Sequence, residues 1–312
     1  MSATLAIGPY TDVERDAFAA TLKPAFVATP DDLNTLDDAT CAAVKAIAYK
    51  GHHAFGGAEM GRFANLGLIA NYGVGYDAID VDAATARGIK VTNTPDVLND
   101  DVADLAIAMW LMQGREMRQA EVWVRDGSWG DKGPVRLNRK VSGGTVGIMG
   151  MGRIGRDIAD RLAAFKCDIH YHARSEKETP GWTYHADPVD LARSVDFLFV
   201  ALVGGPATEK YVSKEVIAAL GDKGVIINIS RGSTIDEEAM LDALETGALA
   251  GAGLDVFVGE PHLNSRFQKL DNVVLQPHQG SGTHETRAAM AKLQRDNVAA
   301  HLAGDDLLTP VN

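Results

Sequence analysis

Three polar residues in the last third of the chain have types and positions that could support chemistry. They are Arg231 after the apolar run GVIINIS, Glu260 after AGAGLDVF and His278 after NVVLQP. An arginine side chain is a planar, permanently charged fork that matches a carboxylate and its neighbouring carbonyl. A histidine holds or gives a proton near neutral pH, and an adjacent carboxylate stabilises its protonated form. The three residue types together suit the reduction of a 2-oxo acid.

Each of these residues alone also has an ordinary structural explanation. Arg231 could lie in a surface turn, Glu260 could be an exposed loop acid, and His278 could be a hydrogen-bonded structural histidine. The chemical interpretation rests on their shared placement, because ligands of an open parallel sheet bind beyond the carboxyl ends of its strands. Each of the three follows a predicted strand, so the topology predicts that they converge.

A glycine-rich stretch near the middle of the chain predicts a nucleotide site. Its G-x-G-x-x-G pattern stands between an apolar run and apolar residues at helical spacing, which places it at a strand-to-helix turn. The first glycine permits the turn, the second lets a pyrophosphate approach, and the third lets the helix pack closely. The helix N-terminus adds N–H donors and the positive end of its dipole. A purely structural turn is the alternative; the predicted cofactor contacts are Gly150, Met151, Gly152, Arg153, Ile154 and Gly155.

The residues after the second strand of this unit predict which nicotinamide cofactor binds. NAD-binding units carry an acid about 20 positions beyond the fingerprint, where it bonds to the ribose 2′-hydroxyl. Here the strand CDIHYH is instead followed by Ala173, Arg174 and Ser175. A guanidinium and a hydroxyl fit a 2′-phosphate, so we expect NADPH to be preferred over NADH. Lys177 could equally be the phosphate partner, and Arg174 could be a solvated loop residue.

Apolar runs alternate with helical patterns on both sides of the fingerprint. This alternation predicts an α/β fold of two Rossmann-like or flavodoxin-like domains with parallel sheets. The amphipathic stretch at 285–303 is predicted to return to the first domain, so that the nucleotide domain is inserted into a split substrate domain. Residues 101–125 are predicted to form one long helix that crosses between the two.

Composition limits the classes of protein and partner. A chain of 312 residues with 46% hydrophobic content suits two globular domains, and its net charge of −12 argues against nucleic acid or an anionic membrane as a partner. The start lacks a basic secretory signal, and no apolar run reaches about eighteen residues, which predicts a cytoplasmic protein. The two cysteines form no C-x-x-C, and His170 and His172 lack nearby matched ligands, so no metal site is expected.

Several segments resemble the signature sequences of the D-2-hydroxyacid dehydrogenases. They are NYGVGYDAID at 71–80, GMGRIG at 150–155, NISRGSTIDEEAM at 228–240, GAGLDVFVGEP at 251–261 and PHQGSGTHETR at 277–287. The resemblance covers essentially the whole chain and points to the glyoxylate and hydroxypyruvate reductase branch. It implies a substrate (catalytic) domain at 1–99 and 288–312 and a dinucleotide-binding domain at 100–287.

The resemblance also assigns roles to residues. It implies that Arg231 binds the substrate carboxylate and polarises the 2-oxo group. His278 would donate a proton as hydride arrives from the nicotinamide. Glu260 would orient that histidine and stabilise its protonated form. The backbone N–H groups of Val74 and Gly75 would hold the other side of the carboxylate.

Further cofactor contacts follow from the same resemblance. Asp255 matches an acid at the nicotinamide carboxamide, although a structural role at a strand end is the alternative. Thr208 matches a threonine beside the cofactor. Gly280 and His278 are the remaining cofactor contacts. The chain departs from the family's usual residues at Asn99 and Gln279.

These implications predict NAD(P)H-dependent reduction of small 2-oxo acids, such as glyoxylate and hydroxypyruvate, to D-2-hydroxy acids. The alternatives are a nucleotide-sensing scaffold, like the corepressors that resemble this family, and a dehydrogenase of a larger D-2-hydroxy acid. A scaffold has no need of the arginine, glutamate and histidine together, which favours the enzyme. The family forms dimers, and the apolar residues of 101–140 predict a homodimer through that region, with Trp129 reaching the neighbouring subunit's cleft.

Overall fold

A computed structural model describes residues 2–312 of the chain. The chain divides into two compact units: the first contains the chain up to Leu98 together with Thr283–Asn312, and the second is Asn99–Gly282. Each unit is built on a parallel sheet and the second is inserted into the first, so the predicted fold class is confirmed. The second segment of the first unit begins at Thr283, which caps the last helix of the chain.

The first unit has a five-stranded sheet. Its strands are β1 (Thr4–Ile7), β2 (Ala25–Val27), β3 (Ala46–Tyr49), β4 (Leu68–Asn71) and β5 (Lys90–Thr92). The helices between them are α1 (Asp12–Ala19), α2 (Asp38–Ala43), α3 (Gly57–Met60) and α4 (Val81–Ala86), with a 3-10 helix at Pro30–Thr35. All strands are parallel, in the order β2-β1-β3-β4-β5. The central strands are buried along their whole length because apolar clusters lie on both faces of the sheet.

The second unit has a seven-stranded sheet. Its strands are β6 (Thr145–Met149), β7 (Asp168–His172), β8 (Thr183–His185), β9 (Phe197–Val200), β10 (Val225–Asn228), β11 (Gly251–Leu254) and β12 (Val273–Leu275). Its helices are α5 (Asn99–Gly114), α6 (Met117–Arg125), α7 (Ser128–Lys132), α8 (Arg153–Ala164), α9 (Pro188–Arg193), α10 (Lys214–Leu220) and α11 (Glu237–Thr246), and 3-10 helices cover Pro206–Thr208, Gly232–Thr234 and Phe267–Lys269. All strands are parallel, in the order β12-β11-β10-β9-β6-β7-β8. The chain direction across the sheet reverses between β6 and β9, which is where such sheets bind nucleotides.

The last helix, α12 (His284–Ala303), packs on β3 and β4 of the first unit. Its buried Gln294 donates to the carbonyls of Tyr49 and Ala70 over 3.0 and 2.8 Å and accepts from the Tyr10 hydroxyl. Burial raises the pKa of Tyr10 well above its ordinary value, so its hydroxyl remains a donor. The side-chain amide therefore links the helix to two neighbouring strands. Breaking these hydrogen bonds is costly because the surrounding core is apolar.

The predicted long helix over residues 101–125 is wrong in two respects. It is divided into α5 and α6 at Glu116, whose φ of 45° lies in the left-handed region. In addition, α5 belongs to the second unit, where it packs on α8 and on β10, β11 and β12. At its centre Trp110 is fully buried, with its ring 5.1 Å from that of Phe165 and 5.8 Å from that of Phe197. α5 is apolar because it is a buried core helix. No helix within residues 2–312 has both the length and the apolar composition to cross a bilayer.

Two glycines allow β6, the following turn and α8 to approach closely. Gly150 has a φ of 102°, and a Cβ there would lie 2.6 Å from the carbonyl oxygen of Ala201. A Cβ on Gly155 would lie 2.0 Å from the carbonyl oxygen of Gly150. Neither position has room for a side chain, so α8 begins directly against the turn.

We expect Gly155→Ala to weaken dinucleotide binding and lower the melting temperature, because the added methyl group forces α8 away from the turn. Overpacking of this kind typically costs about 1–3 kcal/mol. The control is Gly130→Ala in α7, where nothing lies within 4 Å of the added Cβ. Titration calorimetry with NADP⁺ measures the effect, and an unchanged Kd for Gly155→Ala would show that the close approach is not required.

Candidate active site

The three residues predicted to act together follow three neighbouring strands. β10, β11 and β12 are adjacent and parallel, so their carboxyl ends lie on the same edge of the sheet. Arg231 follows β10, Glu260 follows β11 and His278 follows β12. This edge is the one at which open parallel sheets bind their ligands.

His278 and Glu260 form a hydrogen-bonded pair. Nδ1 of His278 lies 2.6 Å from Oε2 of Glu260. Because an ionised carboxylate only accepts hydrogen bonds, Nδ1 carries the proton of this bond, which leaves Nε2 as the ring nitrogen for other chemistry. Glu260 is itself fixed, since its Oε1 accepts from the Phe257 amide over 2.8 Å. The side chains of the pair are 30% and 25% exposed, so a ligand can reach them.

Asp255 fixes the backbone that carries His278. This aspartate is 2% exposed, and its two carboxylate oxygens accept from the amides of Gln279 and Gly280 over 2.7 and 2.8 Å. Its carbonyl accepts from the His278 amide, and its own N–H donates to the carbonyl of Asn228. These contacts hold His278 at a φ of 50°, which residues other than glycine rarely adopt. Burial raises the pKa of Asp255, and the two amide hydrogen bonds oppose that shift.

A tight turn after β10 places Arg231. Its Nη1 donates to the carbonyl of Ser230 over 2.8 Å. The next residue, Gly232, is buried, and a Cβ there would lie 2.0 Å from the carbonyl carbon of Phe257. The amide of Phe257 donates to Glu260, so the turn that follows Arg231 packs against the loop that carries the glutamate. Glu260 is in turn hydrogen-bonded to His278.

Two further residues hold these loops. Asn228 ends β10, donates from Nδ2 to the Arg231 carbonyl over 3.0 Å, and accepts at Oδ1 from the Ser230 amide and hydroxyl. Glu237 accepts from the amide of Val258 over 2.9 Å, and burial raises the pKa of Glu237. A polar residue at the end of an apolar strand is a sequence signal that could have indicated Asn228. No local pattern indicates Glu237, whose partner is 21 residues away.

The predicted dinucleotide turn lies between β6 and α8. Gly152 is the N-cap of α8, a helix of 12 residues that begins at Arg153, and Met151 before it is buried. Among residues 2–312, nothing outside the chain neighbours of Gly152 lies within 4 Å of a Cβ position there, so space remains in front of the helix N-terminus. The Gly150 amide donates to the carbonyl of His172, which joins the turn to the end of β7. Open space, a glycine turn and a helix N-terminus fit the pyrophosphate of a dinucleotide.

The predicted 2′-phosphate residues lie in the loop between β7 and β8, residues 173–182, hereafter the β7–β8 loop. Arg174, Ser175 and Lys177 are all exposed. Nζ of Lys177 donates to Oγ of Ser175 over 3.2 Å. Because β7 pairs with β6, the loop begins beside the fingerprint turn. Two cations and a hydroxyl therefore lie on the side of the turn where the adenosine ribose of a dinucleotide is expected.

Thr208 ends the 3-10 helix that follows β9. Its hydroxyl donates to the carbonyl of Val203 over 2.6 Å, which closes the loop 203–208. β9 is the neighbour of β6, so this loop and the fingerprint turn leave adjacent strands at the same edge. Gly280 lies on the other half of the sheet, where a Cβ would be 3.2 Å from Oδ2 of Asp255.

Val74 and Gly75 lie in the loop after β4 of the first unit. The carbonyl of Val74 accepts from Nδ2 of Asn93 over 2.9 Å, and the carbonyl of Gly73 accepts from the Thr94 amide over 2.9 Å. In a trans peptide the N–H points opposite to the carbonyl. The amides of Val74 and Gly75 therefore point away from Asn93 and Thr94, the residues that hold the preceding carbonyls.

His170 and His172 do have a nearby histidine, which corrects the expectation from the sequence. Nδ1 of His170 lies 2.8 Å from Nε2 of His185, while Nε2 of His172 lies 2.7 Å from the Tyr211 hydroxyl. Two nitrogen ligands of a tetrahedral zinc ion, with Zn–N of about 2.05 Å, would be about 3.4 Å apart. The shorter separation is that of a hydrogen bond, and burial together with His170 lowers the pKa of His185.

Comparison with known proteins places the chain in a family. Residues 107–280 match the family model described as D-isomer specific 2-hydroxyacid dehydrogenase, NAD binding domain. The chain is 48% identical over 246 residues to hydroxyphenylpyruvate reductase of Plectranthus scutellarioides, with 79% of this chain and 78% of that protein covered. It is also 48% identical over 247 residues to glyoxylate/hydroxypyruvate reductase A of Arabidopsis thaliana, with 79% of each covered.

A solved structure extends the similarity to the whole chain. The NADPH-dependent glyoxylate/hydroxypyruvate reductase of Sinorhizobium meliloti, in complex with NADP and malonate, matches with a TM-score of 0.93 and 41% identity. The match covers 100% of this chain and 97% of the other. The family model covers more than half of the chain and agrees with the signature segments found in the sequence. The chain belongs to the D-2-hydroxyacid dehydrogenase family.

Proposed function

We propose that this protein reduces small 2-oxo acids to D-2-hydroxy acids with NADPH as the hydride donor. The observation that carries the proposal is the His278–Glu260 pair on the sheet edge that also carries Arg231. Two relatives support the substrate class. One is named for glyoxylate and hydroxypyruvate, and the other was solved with malonate, a small dicarboxylate.

The chemistry divides between the three residues. Arg231 binds the substrate carboxylate and polarises the 2-oxo group through its planar fork. Protonated His278 donates a proton from Nε2 to the 2-oxo oxygen, while Glu260 stabilises the imidazolium and fixes its orientation. The reduced nicotinamide, when bound, supplies a hydride to C2 of the substrate. The carbonyl carbon gains the hydride and its oxygen gains the proton, which gives a 2-hydroxy acid.

We also propose that the amides of Val74 and Gly75 bind the substrate carboxylate. The support is the loop geometry, in which the preceding carbonyls are held by Asn93 and Thr94 and the N–H groups point the other way. Backbone amides suit this task because they offer hydrogen bonds at fixed positions without adding a further charge.

Cofactor preference rests on the β7–β8 loop. Arg174 and Lys177 supply positive charge and Ser175 a hydroxyl, a set that favours a dianionic 2′-phosphate over a neutral 2′-hydroxyl. The relative from Sinorhizobium meliloti is named NADPH-dependent, which supports the same assignment. Gly152, at the open N-terminus of α8, is proposed to face the pyrophosphate.

The activity is tested by comparing kcat/KM for glyoxylate, hydroxypyruvate, pyruvate and 4-hydroxyphenylpyruvate with NADPH. We expect the smallest substrates to react best. A preference for 4-hydroxyphenylpyruvate would instead assign larger 2-oxo acids as the substrates of this protein. One relative is named hydroxyphenylpyruvate reductase, which is why this acid is included. Tight nucleotide binding without turnover of any 2-oxo acid would instead favour a nucleotide-sensing scaffold.

Finally, we propose that two copies pair through the segment 117–137. Of the eleven large apolar side chains that are exposed within residues 2–312, six lie here. They are Met117, Val122, Val124, Trp129, Val135 and Leu137. No residue of α6 is buried, so this helix leaves its apolar side chains uncovered. A second copy is the simplest cover, because a two-fold dimer matches one patch with itself.

Light scattering should show a dimer that Val124→Asp combined with Leu137→Asp dissociates, since buried carboxylates are strongly disfavoured in an apolar interface. Val13→Asp is the control, because this valine is equally apolar and exposed but lies outside the segment. It should leave the dimer intact. A wild-type monomer at all protein concentrations contradicts the proposal.

For the proton donor, we expect His278→Gln to lower kcat by roughly 100-fold, the scale of a lost general acid. Glu260→Gln should also lower kcat, because an uncharged amide replaces the carboxylate that accepts from Nδ1 of His278. His262→Gln, which changes an exposed histidine of the same unit, is the control. A wild-type rate and pH profile for His278→Gln would assign the proton to another group.

Arg231→Lys should lower kcat/KM by at least about tenfold although the charge is kept. An ammonium group cannot make two parallel hydrogen bonds to a carboxylate and a carbonyl. Arg193→Lys, at an exposed arginine paired with Asp190, serves as the matched control. If Arg231→Lys keeps nearly normal kcat/KM, the bidentate role is wrong.

For cofactor choice, we expect the wild type to use NADPH with a higher kcat/KM than NADH. Arg174→Ala should reduce this ratio, because the 2′-phosphate loses a charge-assisted partner. Arg193→Ala removes an exposed arginine from α9 and should not change it. A wild type that prefers NADH would refute the cofactor assignment and leave the reduction chemistry intact.

A further inference from the structure

The β7–β8 loop is anchored by a buried tyrosine that the proposed chemistry does not use. Tyr171 is fully buried in β7, yet its hydroxyl reaches the loop. It accepts from the Lys177 amide over 2.8 Å and donates to the Lys177 carbonyl over 3.0 Å. One hydroxyl thus satisfies both backbone groups of a single residue, which fixes the position of that residue in the loop.

Three more contacts hold the rest of the loop. The Tyr184 hydroxyl donates to the carbonyl of Ala173 over 3.2 Å. Nη1 of Arg156, from the helix of the fingerprint, donates to the carbonyl of Glu178 over 3.1 Å. The guanidinium of Arg156 also lies 4.7 Å from the centre of the Trp182 ring. The loop is therefore attached to the sheet and to α8 at both of its ends and in its middle.

The anchored backbone determines how the polar side chains are presented. With residue 177 fixed, Nζ of Lys177 lies 3.2 Å from Oγ of Ser175. An ammonium group only donates, so Oγ accepts this bond and its own O–H is directed to another acceptor. Arg174, which precedes Ser175 in the chain and is also exposed, adds a third donor side chain to the same loop, and such a set of donors suits a phosphate.

We propose that Tyr171 is a positioning residue that sets the preference for a 2′-phosphorylated nucleotide, by fixing Lys177 and through it Ser175. This inference rests on the proposed use of NADPH. A nucleotide without the 2′-phosphate makes no demand on this group of donors, so its binding is independent of the Tyr171 hydroxyl.

The test is the Tyr171→Phe variant of the full chain, titrated with NADP⁺ and with NAD⁺. Phenylalanine keeps the ring that packs 5.4 Å from Tyr184 and removes both hydrogen bonds to Lys177. We expect the Kd of NADP⁺ to rise about five- to tenfold, because a misplaced Lys177 gives up about one net hydrogen bond to the 2′-phosphate, and that of NAD⁺ to change less than about twofold. Tyr10→Phe, which removes a buried hydroxyl bonded to Gln294 in the first unit, should change neither.

Each outcome decides the proposal. Unchanged NADP⁺ selectivity in Tyr171→Phe overturns it while the cofactor preference stands, and equal weakening of both nucleotides overturns it in favour of a general structural role. A wild type that binds NADP⁺ and NAD⁺ equally overturns both this inference and the cofactor assignment. If Tyr171→Phe does not fold, Arg156→Gln releases the same loop at Glu178, and it should also weaken NADP⁺ selectively. Retained selectivity there counts against the proposal in the same way.

Discussion

The buried carboxylate of Asp255 accepts from two consecutive amides, those of Gln279 and Gly280, while its backbone bonds to Asn228 and His278. These contacts join the ends of β10, β11 and β12. They also hold the histidine in a left-handed conformation that its own φ and ψ preferences disfavour. An aspartate is needed because it presents two acceptors to two adjacent donors, and an asparagine would offer only one oxygen. Asp255 thus fixes the backbone of His278, the proposed proton donor, while both of its carboxylate oxygens are bonded to backbone amides.

The seven-stranded sheet separates the two tasks of the second unit. Strands β10 to β12 carry the proposed catalytic loops, and strands β6 to β8 carry the glycine turn and the β7–β8 loop. The loop of Thr208 follows β9, between the two halves. Because all strands are parallel, every one of these loops leaves the same edge, so a dinucleotide that lies along this edge would extend from the glycine turn toward the loops after β10, β11 and β12. We therefore expect that substitutions in one half of the sheet alter nucleotide selectivity and substitutions in the other half alter reactivity.

Local backbone chemistry made much of this arrangement predictable from the sequence. The spacing of Gly150 and Gly155 reflects steric limits that act within a few residues, and Arg231 and His278 stand directly after apolar strands. Gly114 ends α5 and is a signal for the break, but the left-handed residue itself is Glu116, a residue type that does not indicate this conformation. The partnership of His170 with His185 depends on the pairing of β7 with β8, which no local pattern specifies. Hydrogen bonds between distant positions, such as that of Asp255 to the Gln279 amide, are set by tertiary structure alone.

We propose that hydride passes from NADPH to C2 of a small 2-oxo acid at the edge that carries Arg231, Glu260 and His278. This transfer is tested most directly with NADPH carrying two deuterium atoms at C4 of the nicotinamide and with hydroxypyruvate as substrate. Mass spectrometry and chiral separation then identify the product. We expect D-glycerate with one deuterium at C2, formed with one NADP⁺ per turnover. Tight NADP⁺ binding without deuterated 2-hydroxy acid from this or any other 2-oxo acid would contradict the proposal.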